Sequence, residues 1–415
     1  MERRRVVITG IGTINPLGNN VQEYFASLKA GVSGAALITK FDPEKFKTKF
    51  ACEVKNYNWE NYFDRKEVRK FDLFAQYAMI ASDEAILDSG LDLETIDKTR
   101  VGVIYASGIG GLQSMYDEIV TYIEGGYTPR FSPFFIPKMI SDIAAGHISM
   151  KYGFMGPNFC TVSACASSNH GLIVSADQIR LGRADIIVTG GAEAAVNQPG
   201  VGGFNSMQAL STRNDDPKTA SRPYDADRDG FVIGEGAGTL ILEEYEHAKA
   251  RGAKIYAEVA GCGLTGDAYH LTAPHPEGLG AMQSMLDAIN EAGVLPSEVD
   301  YINTHGTSTP AGDIPELIGI HGAIGDAIFT ANISSTKSMH GHLLGATGAV
   351  EAIACIMAIK EGVVPPTINN FTRDPNIDER INLTLNKAQE REVKVAMSNT
   401  FGFGGHNSTI LLKKV

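Results

Sequence analysis

Cys165 stands in Ser163-Ala164-Cys165-Ala166-Ser167-Ser168, a run of small residues that opens a helical pattern. A helix start presents free N–H groups and positive potential, which lower a thiol pKa and stabilise a neighbouring oxyanion, so this spacing suits an exposed nucleophile. A buried, inert thiol is the commoner fate of cysteine, and the local sequence leaves the two readings level. Two histidines tip the balance toward chemistry. His305, in Asn303-Thr304-His305-Gly306-Thr307-Ser308-Thr309-Pro310, directly follows a strand pattern, and His342 closes Lys337-Ser338-Met339-His340-Gly341-His342 at a helix start. Such positions gather at the functional edge of an α/β sheet. His340 and His342 could also be read as metal ligands, but no carboxylate or cysteine stands at ligand spacing from them. Phe401-Gly402-Phe403-Gly404-Gly405 reads either as a plain turn or, with glycine on both sides of Phe403, as an aromatic gate.

The elements that must position these groups follow from apolar runs. Arg5 to Gly10, Val101 to Tyr105 and Asp185 to Gly191 read as short buried strands, the first ending in a glycine turn. Phe74 to Leu87 and His170 to Leu181 read as helices. After Gly252 the rhythm restarts with strand Ile255 to Val259, helix Gly280 to Ala292, strand Val299 to Ile302, a strand near Ile333, helix Gly345 to Glu361 and strand Val393 to Met397. Alternation of strand and helix predicts a mostly parallel sheet covered on both faces, in two similar halves, 1–253 and 254–415. The passages Thr161 to Cys165 and Ser334 to Ser338 echo one another, each running from a strand through small residues into a helix.

Composition narrows the classes. Hydrophobic residues make 43% and charged residues 20% of 415, which excludes a mostly disordered chain. A net charge of −12 argues against nucleic acid as a partner, and any anionic partner must be met by a local basic patch. No apolar run approaches bilayer length, so no membrane span is expected. The basic start, Met1-Glu2-Arg3-Arg4-Arg5, imitates a signal sequence, but Gly10, Gly12, Asn15 and Pro16 end its apolar stretch early. Five cysteines with no CxxC predict reduced thiols in a cytoplasm. Gly10-Ile11-Gly12 invites a nicotinamide reading, yet Asn15 stands where the third fingerprint glycine belongs.

The Cys165 segment, His305-Gly306-Thr307-Ser308-Thr309, Lys337 to His342 and Gly402-Phe403-Gly404-Gly405-His406-Asn407, in this order, closely resemble the β-ketoacyl-acyl carrier protein synthases of the elongating type II class. Ala209 to Asn214 and Asp227 to Phe231 extend the resemblance over essentially the whole chain. It implies a thiolase-like α/β fold, an αβαβα five-layer sandwich of two duplicated halves, in a homodimer. It implies decarboxylative condensation of an acyl thioester with a malonyl thioester, both borne by an acidic acyl carrier protein, with no metal or redox cofactor required.

Residue by residue, the resemblance makes Cys165 the acyl-carrying nucleophile, His305 and His342 the pair that assists malonyl decarboxylation, and the backbone N–H groups of Cys165 and Phe403 the oxyanion hole. Lys337 is expected to pair with Glu351, and Asp313 joins the catalytic set. Thr307 and Thr309 match hydroxyls that hold the pantetheine arm, Gly402 and Gly404 flank the gate, and Ile109 matches the acyl pocket. Asn303, Glu351, Ser398 and Asn399 match positions that can enclose a structural Na+ or K+. His340 and Gln208 depart from common family residues without touching the chemistry. Arg65-Lys66-Glu67-Val68-Arg69-Lys70 is expected to form a helix whose i,i+4 spacing aligns a basic edge, with Lys66, Arg69 and Lys70 docking the carrier. The competing readings are a ketosynthase of a polyketide or aryl-polyene pathway, a non-catalytic chain-length partner, against which Cys165 argues, and the nicotinamide enzyme.

Overall fold

The structure, a computed structural model, describes residues 4–415; Met1, Glu2 and Arg3 of the signal-like start lie outside the described residues. Ten strands form the main sheet: β1 (Val6–Ile14), β2 (Val101–Ala106), β3 (Asn158–Phe159), β4 (Ile186–Glu193), β5 (Gly236–Glu244), β6 (Ala257–Gly266), β7 (Tyr301–Asn303), β8 (Asn332–Ser334), β9 (Val395–Gly402) and β10 (His406–Lys413). Their order is β3-β2-β4-β5-β1-β6-β10-β9-β7-β8, which reads the same from either edge as a first-half strand and its second-half counterpart. The halves meet where β1 pairs with β6 through only Val7↔Glu258 and Ile8↔Ala257.

Strand periodicity explains the layers. Val101, Val103 and Tyr105 face one way with Ile186, Val188 and Ile241, packing on α1 (Leu73–Ser89) and α2 (Ile143–Tyr152). Ile104, Ile187, Leu240 and Leu242 face the other way, onto α3 (Ser167–Arg180). The second half repeats this. Ile302, Ile333, Val395 and Met397 meet α4 (Leu279–Ala292) and α5 (Asp313–Ile324), while Tyr301, Ala396, Ile410 and Leu412 meet α6 (Thr347–Glu361). Helices α3 and α6 thus form the middle of five layers. Every residue of α6 from Thr347 to Ile359 is buried, as a helix covered on all sides requires.

Three expectations are corrected. The sheet is mixed: β1, β5, β4, β6, β10 and β9 pair antiparallel across the centre, and only the outer pairings with β2, β3, β7 and β8 are parallel. Strands β5 and β10, which the sequence reading leaves out, supply that antiparallel centre. Gly10 and Gly12 lie inside β1 rather than in a turn, and there is no phosphate cradle between them. A Cβ on Gly12 would stand 2.2 Å from Ala81 O, and one on Gly10 2.2 Å from Ala85 O, so these glycines let α1 lie on the strand. Residues 65–67 form a turn capped by Asp64, and Val68–Lys70 a single 3-10 turn, so the basic segment is exposed but not an α-helix.

Among the described residues no helix is long and apolar enough to cross a membrane. The packing of α1 on β1 predicts that Gly12→Ala lowers unfolding free energy by about 1–3 kcal/mol. Urea denaturation measures it; an unchanged midpoint would show that α1 can shift at no cost.

Candidate active site

The loops that leave the strands on one side of the two halves converge. Ala164 holds a left-handed conformation (φ 50), which turns the chain sharply before α3 and leaves Cys165 at the helix start. Ser167 Oγ braces this turn, donating to Ala164 O at 2.6 Å and accepting from Ser163 N at 2.9 Å. His305 follows β7, His342 follows the turn Lys337–His340 after β8, and Phe403 sits in the hairpin between β9 and β10. Gly402 is required there: a Cβ would stand 2.9 Å from Ser163 O and 3.2 Å from Cys165 N.

Cys165 Sγ lies 3.0 Å from His342 Nε2, and the His305 and His342 rings stand edge to face, 5.4 Å apart. The backbone N–H groups of Phe403 and Cys165 both favour the charged sulfur, which sets two donors beside the nucleophile. The expected low thiol pKa is corrected. Burial pushes the Cys165 thiol up to about 12, with the Glu193 carboxylate adding to it, against Lys337 and those two N–H groups. Burial first, then the Lys337 ammonium and the neighbouring imidazoles, hold His305 and His342 well below the ordinary histidine range. At neutral pH the three groups are a thiol and two neutral imidazoles.

Lys337, 1% exposed, puts Nζ 2.5 Å from Glu351 Oε1 in the buried stretch of α6 and 3.3 Å from Thr304 O. Burial pushes the Glu351 carboxyl up to about 7, with Lys337 opposing. Glu351 Oε2 and Ser398 Oγ are buried without partners, whereas Asn303 bonds Thr336, and Asn399 accepts from Thr409. Asn303 and Ser398 are ladder partners across β7 and β9. Glu351 Oε2 and Ser398 Oγ are both oxygen donors, the type that a hard cation takes.

A cavity of about 390 Å³ opens onto Cys165, His305 and His342, and Thr307, Thr309, Gly402 and Phe403 line it. Asp313, Ile109 and Gly404 do not. Asp313 is buried behind the histidine loop, accepting from Ser308 N and Tyr224 N and pairing with Arg228, so it positions the loop. The carboxylate that reaches His305 is Glu316, one helical turn on, which accepts from His305 N and Gly306 N at 2.7 Å each. Sequence reasoning missed Glu316; the signal available was two carboxylates three residues apart at a helix start.

Glu193 was missed too. It ends β4 fully buried and accepts from Ser107 Oγ, Gly108 N, Ile109 N and Gly345 N, tying the Ile109 loop to the histidine turn. Ile109 itself is 38% exposed. Among the described residues no group of three His, Cys, Asp or Glu side chains is placed to hold a metal.

The chain matches the family described as β-ketoacyl synthase, N-terminal domain, over residues 3–248, and its C-terminal domain over 256–371. The 3-oxoacyl-[acyl-carrier-protein] synthase 2 of Vibrio cholerae serotype O1 is 47% identical over 418 residues, covering all of both chains. That of Staphylococcus aureus (strain COL) is 46% identical over 413 residues, covering all of this chain and 99% of the relative. Among solved structures, a β-ketoacyl synthase from Burkholderia phymatum STM815 superposes with a TM-score of 0.92 at 35% identity, over 99% of this chain and 100% of that one. A type II polyketide ketosynthase, AntDE, solved with its acyl-carrier protein AntF, gives 0.91 at 34% over all of both chains.

The buried ion pair yields a prediction. Lys337→Met should cost about 1–3 kcal/mol by leaving the buried Glu351 carboxyl without its partner, and Lys337→Met with Glu351→Leu should regain most of it. Urea unfolding of both variants decides; equal losses would mean that packing, not charge, is what the pair supplies.

Proposed function

The chain belongs to the β-ketoacyl synthase family, and we propose that it is a 3-oxoacyl-[acyl-carrier-protein] synthase that joins an acyl chain, held on Cys165, to a malonyl unit with loss of CO2. The observation that carries this is the contact of Cys165 Sγ with His342 Nε2 at 3.0 Å, under two backbone N–H groups and beside a second imidazole. The neutral pair explains the chemistry. His342 takes the thiol proton as sulfur attacks the acyl thioester, so no standing thiolate is needed. The two N–H donors stabilise the tetrahedral oxyanion, each typically worth about 10²–10³ in rate. In the second half-reaction the imidazoles of His305 and His342 donate to the enolate oxygen as CO2 leaves, and the enolate carbon attacks the acyl-Cys165 carbonyl.

The relatives at 46–47% identity carry the fatty-acid synthase name, which favours that reading over a polyketide or aryl-polyene pathway. Thr307 and Thr309, 3.0 Å apart in the cavity, suit the amides of a pantetheine arm. Gly402 and Gly404 give the Phe403 loop its freedom. Ile109 is assigned to the acyl pocket because its loop abuts the nucleophile turn: a Cβ on Gly108 would stand 3.3 Å from Ala164 O.

The partner is an acidic, phosphopantetheinylated acyl carrier, for which exposed Lys66, Arg69 and Lys70 form a basic patch on an otherwise acidic enzyme. A homodimer is supported by Met115, Ile119, Ile123 and Ile136 left exposed, and by edge strand β3 with exposed Phe159. A Na+ or K+ bound by Glu351 Oε2 and Ser398 Oγ, with Asn303 and Asn399 beside them, would be structural and take no part in the reaction. Five cysteines with no CxxC among them support a cytoplasmic setting.

Mass spectrometry of the enzyme mixed with acyl carriers tests the reading. Cys165 should gain the acyl mass and Cys165→Ala none, with condensation abolished; acylation at Cys160 would overturn the assignment. Lys66→Glu with Arg69→Glu and Lys70→Glu should slow acylation from the carrier roughly tenfold at low salt while sparing small pantetheine thioesters. Equal loss with both substrates would place the damage in the fold.

A further inference from the structure

Two buried histidines and the half-buried His305 crowd the site, and their Nδ1 atoms have different surroundings. His340 Nδ1 meets Gly341 O at 2.7 Å, a carbonyl that can only accept, so the proton is fixed on Nδ1. Among the described residues His305 Nδ1 has no partner. His342 Nδ1 meets Thr347 Oγ1 at 3.0 Å, and a hydroxyl both donates and accepts. Thr347 is fully buried at the first position of α6, and among the described residues its hydroxyl makes no other hydrogen bond. The chain is bent to bring it there: Leu344 is left-handed (φ 49), and Leu344–Ala346 form a 3-10 turn between the two residues.

We propose that Thr347 is a positioning residue that holds His342 in either tautomer, so that one imidazole can accept a proton at Nε2 in acyl transfer and donate one from Nε2 in decarboxylation. This rests on the condensing function proposed above. In acyl transfer Nδ1–H donates to Thr347 Oγ1 and the bare Nε2 takes the Cys165 proton. The Cys165 sulfur–carbon bond forms, the pantetheine sulfur–carbon bond breaks, and the pantetheine sulfur must gain one proton. If Nε2 returns its proton the first tautomer is restored; if the imidazolium turns Nδ1–H into the cavity and loses that proton to water, and water protonates the leaving sulfur, the other tautomer remains. Thr347 O–H then turns to donate to bare Nδ1, and Nε2–H faces the site where the enolate oxygen forms. A carboxylate or carbonyl in place of the hydroxyl would hold the first tautomer only.

Thr347→Val keeps the shape and removes the hydroxyl. A buried N–H without a partner is worse tolerated than a bare acceptor, so His342 should settle with Nδ1 bare and Nε2 protonated. Acyl transfer to Cys165, which needs a bare Nε2, should fall roughly tenfold or more, and malonyl decarboxylation, read in a Cys165→Ala background, should fall less. Thr347→Ser should restore much of the acylation rate. The 15N shifts of the His342 ring should be averaged between the two forms in the unmodified enzyme and fixed, with Nε2 protonated, in Thr347→Val. Ring shifts that are already fixed and do not change in Thr347→Val overturn the proposal, as does a folded Thr347→Ser that is as slow as Thr347→Val. An unmodified enzyme that takes no acyl group overturns the function instead, and the ring shifts still judge Thr347 without turnover.

Discussion

The site is arranged around one buried positive charge. Lys337 is shut from water and can be kept there only because Glu351, in the buried stretch of helix α6, stands 2.5 Å away. That requirement fixes α6 in the middle layer, and with it the Thr347 end of the helix that meets His342. The same ammonium opposes protonation of both imidazoles and favours charge on the thiol, so a single group keeps the two rings neutral and eases loss of the thiol proton. An exposed lysine, screened by water, could do none of this.

Around that charge the two halves contribute unequal parts to one cavity. The first half supplies the nucleophile from a strained turn, and the second supplies two histidines and the glycine hairpin whose backbone approaches Cys165 too closely for any side chain at Gly402. Buried carboxylates hold these loops from behind. Glu193 gathers the amides of the Ile109 loop and Gly345, Glu316 those of His305 and Gly306, and Asp313 that of Ser308. Each carboxylate meets several N–H groups, which offsets the cost of burying it.

Much of this was legible in the chain. Small residues before a helix marked Cys165, strand ends marked His305, and the succession of motifs pointed to the family. Strands buried on both faces are apolar throughout, so the runs at Val101 and Asp185 stood out, while β5 and β10, rich in Gly, Thr, Ser and Glu, did not. The glycines of β1 looked like a turn because sequence cannot show that a helix lies on them. The basic run around Lys66 looked helical because spacing alone does not reveal that Asp64 caps a turn. The thiol's protonation was misjudged because a helix start suggests exposure, and burial, which dominates here, is a property of the surrounding layers. Asp313 and Glu316, three residues apart, could not be told apart until the helix was seen to turn one toward Ser308 and the other toward His305.

The central claim is that burial and the Lys337 charge keep His305 and His342 neutral throughout the working range. It is tested most directly by the pH dependence of the His305 and His342 ring 15N shifts in Cys165→Ala, where the thiol no longer titrates. The shifts should stay at neutral-imidazole values from about pH 5.5 to about pH 8.5. An inflection near the ordinary imidazole value of about 6.5 would contradict the account, because it would mean that at least one of the two histidines is charged within reach of a buried ammonium.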